Sequence, residues 1–443
     1  MQNRLSAIGI MAILTLVVFS TLNAQHRYFV NSNHGDDSND GSVNAPWRTI
    51  EKIHEYKFAP GDSVFFSRGS VFNSGFVINR SGRSGKPIVF TAYGVGPKPV
   101  FSNIHYTNLN GNAIQIRASY IVIDGLYFYY CPKSPVTEKI KTLGAIYIAE
   151  GADHNIVQNC EMTRTPVGIQ VYGQHNLITH NYIHDNNVSI KPHWGPMCVV
   201  VSTSNNEICY NRFENYSAPS NEYGHDGGAI EINDRKYPKQ NIKIHHNTSY
   251  RNQGFIEFVG SVKQDNMIIH HNVCEDYQSF VGFTGPCTNI RVENNTVIRT
   301  LAHEKPDSED VFFWFYFGGN ENLIFRNNIF VYDPARIEPV FSRGKFTHDH
   351  NLFYRIDDPD LMDSANYHAF QRSVVGGGAH PREGGKIGNP MFVDLENRDY
   401  RLTAESPAVD AGADLGYELD FLNHPIPAGK APDMGAFEFQ GKK

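Results

Sequence analysis

The chain has 443 residues, a formal net charge of −7 and a charged fraction of 19%. This mild negative balance is unlike the strongly basic surfaces that bind nucleic acid. Six cysteines in this length are too few for a disulfide scaffold, and we expect those inside strand-like segments to be small buried thiols. The 12% of aromatic residues and the 38 glycines favour a β-rich protein with tight turns.

The N-terminus has the pattern of a secretory signal. Arg4 supplies a positive start, residues 8–19 form an apolar run, and Ala24 ends a small-residue stretch before Gln25. The run is too short for a stable membrane span, and no later segment is long and apolar enough to cross a bilayer. We therefore predict a signal peptide over residues 1–24 and a soluble, monomeric protein exported to the periplasm or the extracellular space.

Residues 25–100 are predicted to hold an N-terminal cap and the first coils of a repetitive fold. Within them, Ile50, Ile53 and Tyr56 lie at helical spacing. The open end of a repeat protein exposes apolar side chains and unpaired strand edges. We therefore expect this short helix to lie over the N-terminal opening of the core.

Residues 101–355 carry an internal repeat. A pattern of apolar, any, apolar, any, Asn recurs, and its shortest gaps are close to one coil of a β-solenoid. Asp124 takes the Asn position in the first copy. The Asn residues of the pattern are Asn159, Asn181, Asn211, Asn247, Asn272, Asn295, Asn328 and Asn351.

The repeated Asn has a physical explanation in a parallel coil. Each turn of such a coil places a residue about 4.8 Å above its equivalent in the turn before. Asn tolerates the left-handed backbone of a bend, and its amide can bond to the next Asn of the stack. We therefore predict an all-β fold, a right-handed parallel β-helix. A jelly roll would not repeat an Asn in this way, and a propeller would have regular blades of about 40 residues.

Residues 356–443 are predicted to be a C-terminal cap. From Lys386 onward the motifs IGNPMFVD, DYRLTAESPAVDAG and DMGAFEF are separated by Pro and Gly. Such short apolar runs bounded by turn residues are typical of short strands. We expect these strands to close the second end of the solenoid.

The terminal motifs resemble those of a known family. YFVNSNHGDDSNDGSVNAPWRTI, PGDSVFFSRG and SGKPIVFTAYG are similar to the opening of bacterial right-handed β-helix proteins, and NPMFVD with SPAVDAG and DMGAFEF is similar to their ending. That family includes many glycoside hydrolases and polysaccharide lyases. The resemblance covers nearly the whole mature chain and implies the architecture, while the reaction must be argued from the site.

One sheet of the solenoid should carry the site. Alternation along its strands sends Ile146, Ile169, Ile230 and Ile256 toward the core and their neighbours outward. The strands of this sheet are expected within residues 144–150, 168–173, 198–204, 227–234, 254–260 and 279–285. The outward residues, all candidates for substrate contact or catalysis, are Tyr147, Gln170, Tyr172, Glu231, Asn233 and Glu257.

Glu231 and Glu257 should occupy equivalent positions on neighbouring coils. Two stacked carboxylates repel, which raises the pKa of one of them, and a neutral acid beside an ionised carboxylate is what glycosidic cleavage needs. A single rung predicts the short carboxylate separation of a retaining enzyme, about 5 Å, against ~6.5–9.5 Å for an inverting one. The alternatives are a cation that neutralises both carboxylates, or basic partners such as Arg235 and Lys263.

Asp226 is the third candidate catalytic residue. It ends an excursion over residues 215–225, and long loops on a rigid scaffold commonly carry binding and catalysis. The alternative is a turn residue that bonds its own backbone. His225 and Tyr223 in the same excursion would contact the sugar or transfer a proton, with a structural role as the alternative.

Two further excursions supply candidate sugar-binding residues. Residues 186–196 contain His193 and Trp194, and residues 302–319 contain Trp314. Aromatic faces stack on the apolar faces of sugar rings. The phenylalanines around Trp314 indicate instead that much of that run is core. Arg235 completes the predicted substrate-binding set.

These residues predict a glycoside hydrolase that acts on a poly- or oligosaccharide and needs no metal or other cofactor. The second hypothesis is a polysaccharide lyase in which Glu231, Asp226 and Glu257 hold Ca²⁺. Its base would be His225, Tyr223, Arg235 or Lys236. It ranks lower because the strands offer no stacked row of outward Arg and Lys for an acidic polymer. A third hypothesis is a non-catalytic glycan-binding β-helix, which would lack the clustered excursions.

Overall fold

The computed structural model describes residues 25–103, 109–131, 143–190, 194–221, 224–233, 236–302, 312–315, 319–333, 346–357 and 384–441. Three parallel sheets run the length of this part of the chain. The central coils of this part of the chain each contribute a strand to the 13-stranded, the 12-stranded and the 9-stranded sheet in turn. The prediction of an all-β solenoid of parallel strands is confirmed.

The strands of the 13-stranded sheet are Arg27–Val30, Ser63–Ser67, Ile88–Tyr93, Ile121–Asp124, Ile156–Gln158, Leu177–Thr179, Glu207–Cys209, Lys239–Gln240, Lys243–His245, Gln264–His270, Cys287–Glu293, Leu323–Arg326 and Phe346–Asp349. Those of the 12-stranded sheet are Val71–Phe72, Val100–Phe101, Tyr127–Tyr129, Glu161–Thr163, Tyr182–Asn186, Arg212–Tyr216, Thr248–Tyr250, Val273–Glu275, Thr296–Arg299, Ile329–Tyr332, Leu352–Arg355 and Lys386–Ile387. Those of the 9-stranded sheet are Phe76–Ile78, Ile114–Ile116, Ile146–Ile148, Val167–Val171, Met197–Val201, Gly228–Asn233, Ile256–Val259, Val281–Phe283 and Phe313–Phe315.

In the core, apolar residues of similar size stack on one another in successive coils. On the 9-stranded sheet, Ile230 pairs with Ile256 and Ile256 with Val281, and all three are buried. Their neighbours along the strands alternate outward, as the period of two requires. Because a core residue here touches its equivalents above and below, truncating one to Ala removes contacts in three coils and costs about 2–5 kcal/mol.

A buried Asn ladder runs along one corner of the solenoid. The backbone N–H of each member donates to Oδ1 of the next, at 2.8–3.0 Å. The side-chain amide of each described member donates as well, so that buried polar groups are satisfied within the stack. The members are Asn181, Asn211, Asn247, Asn272, Asn295, Asn328 and Asn351.

Asn159 and Asp124 were wrongly assigned to this ladder. The strand register aligns Ile156 with Leu177, which places Cys160 opposite Asn181 and Asn159 opposite His180. Asn159 and His180 both have a left-handed backbone, with φ of 55°. The bend residue is therefore the one before the ladder Asn. The Asp124 carboxylate lies outside the stack and accepts a bond from Asn159 Nδ2 at 2.7 Å.

The sequence reasoning also missed a second ladder at the corner that precedes the 13-stranded sheet. Asn155 N donates to Asn176 Oδ1 at 2.8 Å, and Asn176 N donates to Asn206 Oδ1 at 2.9 Å. All three side chains are buried. Two corners of each coil in this region are therefore fixed by stacked amides, which makes the sheet between them a rigid platform.

The N-terminal helix is present as Ile50–Glu55, shorter than the spacing predicted, and Tyr56 follows its last residue. Ile50 and Ile53 are buried in the main core, whereas Tyr56 is exposed and lies 4.7 Å from Tyr28 between ring centroids. A 3₁₀ turn covers Leu109–Gly111. The capping role predicted for the helix stays a prediction.

The C-terminal segment contains one antiparallel pair, Phe392–Asp394 with Asp399–Leu402. Its apolar residues form a second buried cluster on the outer face of the 12-stranded sheet, where Met434 and Phe437 pack with Ile298 and Ile329. The described part of this segment thus covers a flank of several coils. Closure of the solenoid end stays a prediction. No helix in the described residues has the length and hydropathy needed to cross a membrane.

Candidate active site

The outer face of the 9-stranded sheet aligns five of the predicted site residues in one column. Glu231 pairs directly with Glu257, and the predicted register is confirmed. In coil order the column is Val77, Gln115, Tyr147, Gln170, Val200, Glu231, Glu257, Gly282 and Trp314.

The Glu231 carboxyl group lies in a closed environment. Only 2% of the residue is exposed, although it points away from the core. Trp194 Nε1 donates to Glu231 Oε2 at 2.8 Å, and Asn233 Nδ2 donates to Oε1. Asn233 reaches the carboxylate because residues two apart on a strand share a face. The excursion that carries Trp194 is therefore what covers the acid.

The pKa of Glu231 is raised to about 7, chiefly because the group is buried. The charge of Asp226 also raises this pKa, and the hydrogen bonds from Trp194 and Asn233 offset part of the rise. The sequence argument attributed the raised pKa to repulsion from Glu257. The structure attributes it first to desolvation, with Asp226 as the neighbouring charge. A carboxyl group with this pKa is poised to give or take a proton near neutral pH.

Asp226 ends a two-stranded hairpin, Ala218–Ser220 with Gly224–Asp226, that forms the predicted excursion. Its carboxylate accepts the backbone N–H of Gly195 at 2.8 Å and of Gly227 at 2.7 Å. Two such charge-assisted bonds favour the ionised form. The bond from Gly227 is the local turn contact expected if Asp226 were only a turn residue. The bond from Gly195 joins the hairpin to the backbone next to Trp194.

Gly195 and Gly227 allow that junction. A Cβ at Gly195 would lie 2.1 Å from the carbonyl carbon of Asp226, and Gly227 has φ of 135°. Only glycine fits a backbone approach of this kind. The backbone at Gly195, next to Trp194, and the end of the hairpin are thus held together close to Glu231.

Trp194 is held from two sides. Its indole packs against a small apolar cluster that includes Leu143, Ile190 and Val200, and its N–H is bonded to Glu231. The Trp194 carbonyl also accepts the N–H of Ile190 at 2.8 Å. The geometry makes Trp194 a positioning residue for the acid, and its predicted sugar contact stays a prediction.

Glu257 is half-buried, and the next rung of its column holds a glycine. Gly282 follows it in the column, and a Cβ there would lie 3.3 Å from Glu257 Cγ and 3.5 Å from Trp314 Cε3. Because Gly282 has no side chain, Glu257 and the half-buried Trp314 border the same space. Phe312, Phe313 and Phe315 are buried, as the core reading of that run expected.

A polar cleft of about 540 Å³ adjoins the hairpin. His225, one residue before Asp226, lines it, and Arg251 Nε donates to Tyr277 OH at 3.1 Å within it. Sugars are bound in clefts of this size by convergent polar groups and an aromatic ring. Besides these three residues the lining comprises Asn187, Asn215, Ser217, Pro219, Gln253 and Ala302.

The cleft residues other than His225 were missed by the sequence reasoning. Most lie at the corner that follows the 12-stranded sheet, where Ser217 Oγ donates to Gln253 Oε1 across one coil at 2.7 Å. Counting five residues from the paired Arg212 and Thr248 reaches these two positions. The repeat itself therefore places Ser217 and Gln253 at equivalent positions, but the sequence argument used only the Asn positions and the strands of the 9-stranded sheet.

Comparisons with known proteins agree with this architecture. The family model for a right-handed β-helix region matches residues 72–217. Pectate lyase Pel9A superimposes with a TM-score of 0.57 at 17% identity, covering 95% of this chain and 98% of that one. XylC in complex with xylose has a TM-score of 0.57 at 11% identity, covering 94% and 99%.

This chain resembles carbohydrate-active β-helix proteins. Over 91 residues it is 37% identical to a lacto-N-biosidase of Bifidobacterium longum subsp. longum, a match that spans 19% of the chain and 6% of that enzyme. The resemblance inferred from the terminal motifs is confirmed. The low identities to the solved structures show the fold alone.

Other predicted contacts of this β-helix have mixed placements. Gln170 is buried, and its Oε1 accepts the N–H of Leu143 at 2.6 Å, so its position does not support sugar contact. Tyr147 and Tyr172 are half-buried, with ring centroids 5.9 Å apart. Lys236 is exposed and its Nζ contacts Tyr237 OH. His193, Tyr223 and Arg235 lie outside the described residues.

Potential metal ligands gather away from this site. In the described part of the chain, the group of three close donors is Glu207, Cys209 and His245 on the 13-stranded sheet. The acidic residues 36–40 bond to turn backbone instead, for example Asp37 Oδ1 with the N–H of Arg48 at 2.8 Å. The Ca²⁺ that the lyase hypothesis places at Glu231, Asp226 and Glu257 stays a prediction.

Proposed function

We propose that the protein is an exported glycoside hydrolase that cleaves a poly- or oligosaccharide bound across the hairpin cleft and the face of the 9-stranded sheet. One observation carries the proposal. Glu231 is a buried carboxyl group with a pKa of about 7, beside an Asp226 whose two oxygens accept backbone N–H groups. A carboxyl group that keeps its proton near neutral pH is suited to act as a general acid.

Glu231 is the general acid in this scheme. It donates its proton to the glycosidic oxygen as the bond to the anomeric carbon breaks, and Asp226 helps to keep it protonated beforehand. Glu257, one rung away, either attacks the anomeric carbon or removes a proton from the attacking water. No cofactor is required. Retention or inversion of the anomeric configuration in the first product distinguishes the two roles of Glu257.

The match to a lacto-N-biosidase supports a glycosidase, and the sugar specificity is a separate question because the match is short. Export to the periplasm or the extracellular space is part of the proposal, and it rests on residues 1–24, which lie outside the described residues. A glycan as partner follows from the resemblance. The monomeric state is proposed from the sequence alone.

Product analysis on a panel of polysaccharides tests the reaction. We expect new reducing ends without the ultraviolet absorbance of an unsaturated uronide. Glu231→Gln and Glu257→Gln should each lower kcat by about 10²–10⁴ on polymeric substrate, as expected when a positioned proton donor or base is removed. Lys236→Gln, on the exposed surface nearby, is the matched control. Full activity in both Glu variants would show that the site is elsewhere.

A lyase remains the second candidate because of one feature of the cleft. Arg251 and Tyr277 are bonded to each other there, with His225 on the same lining. β-Elimination needs a cation to neutralise a uronate carboxylate and a base to remove the adjacent proton, and these groups offer both. Unsaturated products that disappear in Tyr277→Phe or His225→Gln, with Ca²⁺ added throughout, would favour this reaction over hydrolysis.

A further inference from the structure

Three donor side chains of different chemistry converge on the outer face of the 13-stranded sheet. Strands Glu207–Cys209 and Lys243–His245 pair in parallel, with Cys209 opposite His245. Glu207 lies two residues before Cys209 and therefore on the same face. Glu207 Oε1 is 3.2 Å from His245 Nε2 and 3.8 Å from Cys209 Sγ, and all three donor atoms lie within 4.8 Å of one another.

We propose that Glu207, Cys209 and His245 form a binding site for a borderline transition-metal ion, with Zn²⁺ as the type case. Zn²⁺ binds sulfur at about 2.3 Å and nitrogen or oxygen at about 2.0–2.2 Å, in a tetrahedron. The edges of such a tetrahedron are about 3.3–3.6 Å long. The two separations from Glu207 lie on either side of this range, and the separation of Cys209 Sγ from His245 Nε2 is no more than 4.8 Å, so side-chain shifts can bring the three donors around one ion.

The donor types select the class of ion. Thiolate and imidazole favour Zn²⁺ and its neighbours in the first transition row, whereas Mg²⁺ and Ca²⁺ require oxygen ligands. Glu207 is 39% exposed at its side chain, which leaves room for water as a fourth ligand. Three protein ligands and one water form the arrangement of an open zinc site. On binding, the Cys209 thiol releases its proton to solvent and the resulting thiolate donates its lone pair to the metal.

A hydrogen-bond relay on the far side of His245 supplies an independent argument. His246 Nε2 lies 3.1 Å from the backbone oxygen of Asp420, and a carbonyl oxygen can only accept. Nε2 of His246 therefore carries the hydrogen, and Nδ1 of the uncharged ring is an acceptor. His245 Nδ1 lies 2.8 Å from that Nδ1 and must be the donor.

In an uncharged His245 whose hydrogen is on Nδ1, the Nε2 atom carries a lone pair. That lone pair points at Glu207 Oε1, 3.2 Å away. Two acceptors at this distance are held together by a donor or a cation between them, and the sulfur of Cys209 beside the pair makes a metal ion a chemically suitable bridge. A backbone or side-chain bond on the second ring nitrogen is the usual way in which a metal-binding His is oriented.

The site is also rigid before the ion arrives. The His245 ring stacks on His270 with centroids 4.7 Å apart, and Cys209 is buried, with Sγ 3.5 Å from Thr179 Oγ1. Both strands sit in the centre of a parallel sheet. A preorganised donor set lowers the ordering cost of binding.

Titration of the metal-stripped full-length protein with Zn²⁺, followed calorimetrically, and with Co²⁺, followed by absorbance, tests the proposal. We expect one ion per chain and a thiolate-to-Co²⁺ charge-transfer band. Cys209→Ser should abolish the band and weaken Zn²⁺ binding by more than about 10-fold, and His245→Gln should weaken it similarly. Cys160→Ser and His175→Gln, which alter a buried thiol and a surface imidazole away from the cluster, should bind as the parent does.

Thermal melts of each variant in chelator establish that it folds, and Cys209→Ser keeps nearly the same volume. Absence of stoichiometric binding, or binding that Cys209→Ser and His245→Gln leave unchanged, overturns the proposal. In that case the three side chains form a hydrogen-bonded surface cluster that holds no metal. Activity is not the readout, so this result is independent of the hydrolase proposal.

Discussion

At the scale of single residues, the site depends on how two loops adjust one carboxyl group. Glu231 would point into solvent if the strand stood alone, because it alternates with the core residues Ile230 and Ile232. Trp194 and Asp226 change this, one by covering the group and donating a hydrogen bond, the other through its charge. The hydrogen bond from Trp194 lowers the pKa of Glu231 and the charge of Asp226 raises it, so mutation can separate these two effects.

Trp194→Phe removes the indole N–H and keeps most of the apolar cover. The hydrogen bond to Glu231 Oε2 favours the ionised form, so its loss raises the pKa of Glu231. A general acid is active while protonated, and the alkaline limb of the pH profile of kcat/KM should therefore move to higher pH. Trp47→Phe, whose N–H bonds to Asn39 in the N-terminal region, is the control. A shift toward lower pH would contradict the assigned role of Trp194.

Asp226→Asn should move the same limb in the opposite direction. Removing the negative charge lowers the pKa of Glu231, and the acid then loses its proton at lower pH. The amide retains one acceptor oxygen for Gly195 or Gly227, so the loop junction is partly kept. The measurement is again kcat/KM against pH. If the alkaline limb stays in place while kcat falls, Asp226 takes part directly in the reaction instead.

At the scale of elements, the Asn ladder determines the register of the sheets. Asn272 is fully buried, accepts from Asn247 N and Nδ2, and donates through Nδ2 to the Ile244 carbonyl. Asn272→Ala leaves several buried partners unsatisfied, each at a cost of about 1–3 kcal/mol. We expect a loss of at least about 3 kcal/mol, seen as a lower urea midpoint.

Asn159→Ala is the matched comparison for that prediction. Asn159 is exposed, outside the stack, and has φ of 55°. Its replacement should cost about 1–2 kcal/mol, because Ala lacks the polar side chain with which Asn tolerates the left-handed conformation. Equal losses in the two variants would contradict the corrected register.

The same ladder shows what the sequence can predict. The pairing of Glu231 with Glu257 followed from alternation and from the repeat, both of which are local patterns. The error at Asn159 arose because Asn suits both the bend position and the ladder position one residue later. The burial of Glu231 was not predictable, since it depends on Trp194, which reaches the carboxyl group from 37 residues earlier in the chain. Periodicity says nothing about such non-repeating loops.

At the scale of the whole molecule, the C-terminal segment is fastened along the side of the solenoid. Gly435 N donates to the Asn327 carbonyl at 2.6 Å, and Ala436 N donates to Thr296 Oγ1 at 3.0 Å. Arg398 and Tyr400 both reach Glu275, each at 2.9 Å. The apolar motifs predicted to form an end cap thus cover outward residues of the 12-stranded sheet. Sequence patterns identified the segment as apolar and turn-rich, but they could not choose the surface on which it packs.

A group of carboxyls inside this segment is expected to make the stability of the protein depend on pH. The pKa of Asp433 is raised to about 7, chiefly because the group is buried, and the charges of Glu438 and Asp410 contribute to the rise. The Asp433 carboxylate accepts the N–H of Asp410 at 2.7 Å and of Phe439 at 2.6 Å, which holds the segment together. Glu438 in turn accepts the N–H of Asp433 at 3.0 Å. Asp433 therefore bonds two backbone N–H groups of the segment, although its buried position disfavours the charged carboxylate.

The sign of this effect follows from proton binding. The folded state keeps a proton on Asp433 up to about pH 7, whereas the unfolded chain releases it near the ordinary pKa of 3.8 for an Asp side chain. The contribution of Asp433 to stability is thus greatest below that value and falls as pH rises to 7, by no more than about 4 kcal/mol.

Asp433→Asn removes the titration. Its melting temperature relative to the parent should rise between pH 4 and 7 and stay level above pH 7. Asp394→Asn, an exposed acid of the same segment whose pKa is lowered by bonds from Asn397, should show a flat difference from pH 5 to 8. A difference between Asp433→Asn and the parent that falls with pH would mean that Asp433 is ionised in the folded protein and stabilises it through its two backbone bonds.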